Sequence, residues 1–386
     1  MSQPPPIDLL RSALPEPDAA RARALAKPFR QAAVLDALRV ARTQPKFATP
    51  ALSRFFRQKK SLGARDRRAV QGAVFDIIRH ESLLFVSGAH SDAKMLDRWM
   101  AVLEGDRLSK LEPTSPAEDL AIALSLGYRV AREWLEVLGP SSAAKLARVQ
   151  ATRAPTVVRA NRLKCTREEL QERLVAEGIP SEPHPHAVNA LVLGKRAAFH
   201  TLKSFKDGWF EVQDASSQRF VDAIPLEAGQ TVLDLCAGAG GKSLALAARG
   251  ASVRAWDIRD SALDELEKRA HRAGAKIRIA PPQPADIVVV DAPCSGTGRL
   301  RREPALRWKL EQDALLPLQA ELVATGAALV KPKGLLAYAT CSLLKAENQP
   351  PLPDALADEF ELVDERMLWP HIDDGDGFGW RIWRRS

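Results

Sequence analysis

The stretch Thr231–Ser243, TVLDLCAGAGGKS, decides the fold of this 386-residue chain. It opens as a short apolar run and passes at once into a glycine-rich turn. Three more runs of the same kind follow: SVRAWD at 252–257, DIVVVD at 286–291 and LLAYAT at 335–340. Each has strand length and ends on a small, polar or acidic residue. Helical segments such as SALDELEKRAHRAG (261–274) lie between them. Strands alternating with helices predict an α/β, Rossmann-like, doubly wound and mostly parallel sheet over 216–386. Ligands of such a sheet bind at the C-terminal ends of its strands.

The turn itself, Cys236-Ala237-Gly238-Ala239-Gly240-Gly241-Lys242, is the expected cofactor loop. Its glycines allow a sharp turn and close approach of a ligand to the backbone, with helix N-terminal amides beyond. A phosphate-cradling Walker A loop needs a glycine where Cys236 stands, so that match fails. A dinucleotide fingerprint asks for a third glycine at Ser243, so that match is partial. The S-adenosylmethionine loop of class I methyltransferases needs only small residues. Asp257 ends the second run 19 positions after Gly238, the separation at which an acid hydrogen-bonds ribose hydroxyls. Loop and acid together fit either a methyl donor or NAD.

Downstream, DAPCSGTG places Asp291, Pro293 and Cys294 at the end of one strand, and ATCSLL places Thr340, Cys341 and Ser342 at the end of the next. A single buried cysteine is usually a small hydrophobe. Two of them at strand ends beside a cofactor loop weaken that reading sharply, and methylation of cytosine is a chemistry that needs such residues. Carbon 5 of cytosine is too electron-poor to attack a methyl group, but a thiolate added at carbon 6 makes it nucleophilic. Electron density then moves towards N3, where an acidic group is wanted, and Asp291 is the candidate. The carbon 5 proton must leave before the thiolate does, and Cys294 is the candidate to assist. Lys242 is expected to support the site. No metal is expected.

Working outward, residues 155–215 read as a small α+β connector, with a helix opening at Thr166 and stopping at Gly178. Residues 21–150 read as helical. In RRAVQGAVFDIIRH, Val70, Val74, Ile77 and Ile78 share one helix face, and Ser115-Pro116-Ala117-Glu118 is a helix start. Residues 1–20, rich in Pro and Ala, are expected to be disordered. Between Arg21 and Arg68 stand 14 Lys or Arg against only Asp36 and Asp66, a charge density suited to a polyanion such as RNA. The whole chain carries +8, with 46% hydrophobic and 27% charged residues, as in a globular protein. No apolar run of membrane-spanning length occurs, and the opening MSQPPPIDLL lacks a secretory pattern. Four scattered cysteines, Cys165, Cys236, Cys294 and Cys341, suggest free thiols and a reducing cytoplasm rather than a disulfide or zinc framework.

The loop, DAPCSGTG, ATCSLL, the preceding EVQDASSQ (211–218) and the closing DGDGFGWRIWRR (374–385) together resemble the bacterial Sun/RsmB family of ribosomal RNA cytosine-5 methyltransferases. ALSRFFRQKKSLGARDRRAVQGAVFDIIRH (51–80) is similar to the NusB-like RNA-binding domain of that family. The resemblance implies S-adenosyl-L-methionine as cofactor, ribosomal RNA of the small subunit as partner, and a cytoplasmic monomer that engages neither DNA nor membrane. It assigns the attack to the Thr-Cys residue, Cys341. The family also places an acid after the third strand, against the adenine amino group. IAPPQPAD (279–286) has none before Asp286, which leaves that contact to Gln283 or backbone groups. A silent RNA-binding assembly factor with the same fold is the rival reading, and the intact Cys341, Cys294, Asp291 and Lys242 argue against it. An NAD-linked oxidoreductase would leave both cysteine motifs unexplained.

Overall fold

The computed structural model describes residues 9–45, 48–108, 114–195, 197–310 and 314–386. They form two compact units, one of residues up to Arg153 joined by Arg299–Leu310, the other of Ala154–Gly298 and Glu311–Ser386.

The first unit is helical, as its apolar spacing predicts. Among its longer helices are Pro28–Thr43, Ala48–Gln58, Ala64–Arg79, Asp92–Leu103 and Tyr128–Gln150. Val70, Val74, Ile77 and Ile78 are all buried, in one cluster with Val34, Leu38 and Trp99. Ser115 caps Pro116–Leu124 by accepting the Glu118 amide at 3.3 Å. Tyr128–Gln150 is not one straight helix. Gly139 takes φ 70°, and Pro140 after it lacks the N–H that a continuous helix would use. His80 is buried, stacks on Trp99 at 4.8 Å, and sits between the Asp76 and Ala13 carbonyls at 2.8 and 3.1 Å.

Two expectations change here. Residues 1–8 of the expected tail lie outside the described residues, but 9–20 are not a disordered tail. Leu9–Ser12 is a helical turn, and Leu9, Leu10, Ala13 and Leu14 are buried, so apolar side chains outweigh the local proline content. The second change is Arg299–Leu310, which follows the DAPCSGTG loop in sequence yet packs within the helical unit. Ala305 joins its core, the buried Arg307 guanidinium donates to the Ile78 carbonyl at 3.0 Å, and Trp308 Nε1 donates to Glu81 at 2.6 Å.

The second unit holds two sheets. The smaller is antiparallel, with β1 (Thr156–Ala160), β2 (Ser181–Pro183), β3 (Ala190–Leu193) and β4 (Phe210–Val212) in the order β2-β3-β1-β4. Thr166 caps the helix Arg167–Ala176 in a capping box with Glu169. The larger sheet contains β5 (Thr231–Asp234), β6 (Ser252–Ala255), β7 (Ile277–Ile279), β8 (Ala285–Asp291), β9 (Val330–Thr340), β10 (Phe360–Leu368) and β11 (Phe378–Arg385). Their order is β10-β11-β9-β8-β5-β6-β7. The strands β5 to β9 pair in parallel, and β11 and β10 add antiparallel ones at one edge. Strand order reverses between β5 and β8, so the glycine loop after β5 opens at the switch point of the sheet. Buried Val, Ile and Leu on both faces of β5, β8 and β9 explain why these strands read as unbroken apolar runs.

Candidate active site

The loop from Cys236 runs into the helix Gly241–Ala248. Gly240 has φ 81°, and a Cβ there would lie 2.6 Å from Leu266 Cγ, so only glycine permits the helix Asp260–Ala273 to pack so closely. Backbone groups of the loop are tied down on several sides. The Ala237 amide donates to Trp256, the Ala239 carbonyl accepts from Arg269 at 2.7 Å, and the Gly241 carbonyl accepts from Arg159 at 2.9 Å. Arg159 also donates to Gln213 of EVQDASSQ, which gives that motif a structural task. Burial first, then the acids Asp234, Asp291 and Asp257, push the Cys236 thiol up to about 12, so it stays neutral.

Asp257 lies two residues beyond β6 and is nearly buried. Its Oδ2 accepts the Gly238 amide at 2.8 Å, its Oδ1 accepts the Arg259 amide at 2.9 Å, and the Arg259 guanidinium reaches both oxygens at 3.0 and 3.2 Å. Burial works to raise its pKa, but the bonds from Arg259 and Gly238 together hold the carboxyl below its ordinary value. Asp234, which ends β5, accepts Ser243 Oγ at 2.6 Å on one oxygen while the other is buried without a hydrogen-bond partner among the described residues. Burial outweighs the Ser243 bond and pushes its carboxyl up to about 6. A small-residue loop between an orphaned carboxylate oxygen and a strand-end acid fits the adenosyl and amino-acid groups of S-adenosylmethionine.

On the next strand ends, Cys294 Sγ and Cys341 Sγ lie 3.4 Å apart. Pairing of β8 with β9 in parallel brings two cysteines 47 residues apart onto one rim. The contact with Cys341 first, and burial second, raise the Cys294 thiol well above its ordinary range, with Glu347 adding to it. Gly298 donates its amide to the Cys341 carbonyl at 3.0 Å. A Cβ on Gly298 would meet the Gly377 carbonyl at 1.9 Å, so the DAPCSGTG and DGDGFG loops lie back to back because both are glycine there. Lys242 Nζ donates to Asp291 Oδ2 at 2.5 Å and sits 5.2 Å from the centre of the Phe378 ring.

Of the side chains near the place of the adenine acid, only Gln283 is an expected substitute; Asp286 belongs to β8. Gln283 is exposed, while Asp286 accepts from Thr231 and Lys331, which hold its carboxyl at about 2. Beside Ser295 of DAPCSGTG, three polar residues around the cysteines are not singled out in the sequence: Gln319, Glu347 and Asn348. All four are wholly or partly buried, and their bonds run to the two cysteine loops.

Comparison with known proteins fits this geometry. Residues 222–378 match the family described as 16S rRNA methyltransferase RsmB/F, and residues 131–200 match the ferredoxin-like domain of RsmF/B-like methyltransferases. The ribosomal RNA small subunit methyltransferase B of Salmonella arizonae is 35% identical over 251 residues, covering 58% of this chain and 58% of that protein. The chain thus spans somewhat over half the length of the curated relative it matches. A solved methyltransferase homologue from Pyrococcus horikoshii covers 71% of the chain with a TM-score of 0.59 at 23% identity. The solved protein PH0851 covers all of it with a TM-score of 0.69 at 21% identity, a likeness of fold. With the ferredoxin-like and catalytic matches in consecutive order, and the cysteine motifs inside the second, the chain belongs to the RsmB/F family of methyltransferases.

Proposed function

We propose that this protein methylates carbon 5 of a cytosine in small-subunit ribosomal RNA, with Cys341 as nucleophile. The observation that carries the reading is the 3.4 Å approach of two thiols beside the Lys242–Asp291 pair. Cys294 holds its proton, and in this reading Cys341 is the one of the two that attacks as a thiolate. Its thiolate adds to carbon 6, and the carbon 5–carbon 6 electron pair shifts through the ring towards N3. Asp291 accepts from the Lys242 ammonium and relays a proton from it to N3 as density arrives there, taking it back when carbon 5 attacks the methyl group. S-Adenosylmethionine would be held by the loop 236–242 and Asp257, and would supply a methyl group carried on a positively charged sulfur that departs as a neutral thioether. Carbon 5 takes the methyl group and then bears both it and a proton.

Release follows from the same contact. Once the sulfur of Cys341 is bonded to carbon 6 it carries no charge and is a poorer hydrogen-bond acceptor, so the contact that most raises Cys294 weakens. Cys294 can then lose its proton to solvent and, as a thiolate, take the one on carbon 5. The electrons of that carbon–hydrogen bond restore the ring double bond and expel Cys341 as a thiolate. The helical unit, with its basic stretch, supplies RNA affinity in this reading.

The test is a pair of variants assayed on a 16S rRNA transcript with labelled donor. Cys341→Ala should abolish methyl transfer yet fold and bind donor, since loss of one sulfur is a modest packing change. Cys294→Ala should accumulate enzyme covalently joined to RNA, seen as a slow band on a denaturing gel that RNase collapses. The double variant should give no band. The reverse pattern, with Cys341→Ala trapping RNA, would refute the assignment.

A further inference from the structure

Glu347 and Asn348 follow one another on the short turn Lys345–Asn348, and the chemistry above uses neither. Both are buried, at 4% and 6% exposure. Burying a carboxylate and a carboxamide costs desolvation unless hydrogen bonds offset it, and here the bonds divide sharply.

Glu347 serves the Cys294 loop. Its Oε1 accepts the Ser295 amide at 2.8 Å and its Oε2 accepts the Ser295 hydroxyl at 2.6 Å. Gln319 Nε2 donates to the Pro293 carbonyl at 2.8 Å and reaches Glu347 Oε1 at 3.4 Å. The residues on both sides of Cys294 are therefore fixed by one buried cluster. Asn348 serves the Cys341 loop. Its Oδ1 accepts the Thr340 hydroxyl at 2.7 Å, and its amide group donates to the Ser342 and Leu344 carbonyls at 3.0 and 2.9 Å. The turn carrying both is held by Tyr338, which donates to the Glu347 carbonyl at 2.7 Å. It also abuts β11, where a Cβ on Gly379 would lie 2.2 Å from Asn348 Oδ1.

We propose that Glu347 and Asn348 are positioning residues with divided duty: Glu347 sets Cys294 for release of the methylated base, and Asn348 sets Cys341 for attack on it. The inference rests on the cysteine assignment above and deepens it. Two neighbouring residues should then fail at opposite ends of one reaction.

The experiment uses full-length protein and two 16S rRNA transcripts, one with cytidine and one with 5-fluorocytidine. Fluorine on carbon 5 cannot leave as a proton, so the second transcript traps an adduct whenever attack and methyl transfer occur, whatever the state of the release machinery. Glu347→Gln should trap 5-fluorocytidine RNA as wild type does. On cytidine RNA its turnover should fall by about ten- to a hundredfold, with adduct accumulating. Asn348→Ala should lose trapping and turnover together, by a similar factor. Ser295→Ala and Thr340→Val each remove only a hydroxyl donor to these residues, and should reproduce the two defects in milder form where a first variant folds poorly. Equal loss of trapping in the Glu347 and Asn348 variants, or wild-type turnover in either, would overturn the division of duty. Failure of the wild type to trap 5-fluorocytidine RNA would instead overturn the cysteine chemistry and the division with it.

Discussion

Asp257 and Arg259 should affect donor binding in opposite directions. The Asp257 carboxylate accepts from the Gly238 amide, the Arg259 amide and the Arg259 guanidinium at both oxygens, which occupies its roughly four acceptor positions. Ribose hydroxyls can bond to it only by displacing a donor. The one that yields is the guanidinium, whose side chain is 66% exposed, while the Gly238 amide is fixed by the loop. An ion pair this exposed contributes roughly 0.2 to 1 kcal/mol, so Arg259→Ala should tighten S-adenosylmethionine binding about 1.5- to 5-fold. Asp257→Ala removes a charge-assisted partner and should weaken binding by roughly 1.5 to 3 kcal/mol, or about ten- to a hundredfold. Calorimetric titration of the two variants and the wild type reads both effects. Weaker binding in Arg259→Ala would mean that the guanidinium touches the donor itself, and unaltered binding in a folded Asp257→Ala would mean that the ribose lies elsewhere.

Three other outcomes can be checked with simple measurements. Reversing Arg54, Arg57, Lys59 and Lys60 to Glu should weaken RNA binding and flatten its salt dependence. Lys59 already pairs with Asp36 at 2.7 Å, so about three phosphate contacts are at stake and the log–log slope should change by roughly 2 to 3. An unchanged slope would exclude this helix from the interface. His80 is held by burial at about 4, below its unfolded value of 6.5, so it stabilises the fold above pH 6.5 and that stability drains as pH falls towards 4. Thermal melts should show about 2 kcal/mol lost between pH 7 and pH 5 from this group, and His80→Gln should flatten that dependence; an equal loss in the variant would place the titration elsewhere. Asp234 has the opposite sign for an acid, raised to about 6, so its cost grows as pH rises from about 4 to 6. Asp234→Asn should stabilise the protein at pH 7 by up to about 3 kcal/mol, and a loss of stability would show that the carboxylate charge is compensated.

Local pattern made much of this molecule legible. The four runs became β5, β6, β8 and β9; β5, β8 and β9 are buried on both faces and show as unbroken apolar sequence, while β6 alternates, burying Val253 and Ala255. The face Val70, Val74, Ile77 and Ile78 was legible for the equivalent reason in a helix. Cys294 and Cys341 could be picked out as a pair because each closes a strand, but their 3.4 Å separation depends on β8 lying beside β9. Glu347, Asn348 and Gln319 matter through partners on other elements, so nothing in their own neighbourhood marks them. Arg307 reaches Ile78 across 229 residues, and no periodicity reports a contact of that range.

That last contact bears on how the chain is made. A ribosome releases the helical segments up to Arg153 long before it reaches Arg299–Leu310, which contributes Ala305, Arg307 and Trp308 to the same unit. At synthesis rates of roughly 5 to 20 residues per second, the helical unit waits on the order of 10 s for its last piece. During that interval the Ile78 carbonyl lacks its Arg307 donor, and the Glu81 carboxylate lacks Trp308 and keeps Arg42. The order of assembly is therefore not the order of the sequence: the first unit to emerge cannot be completed until most of the second has been translated.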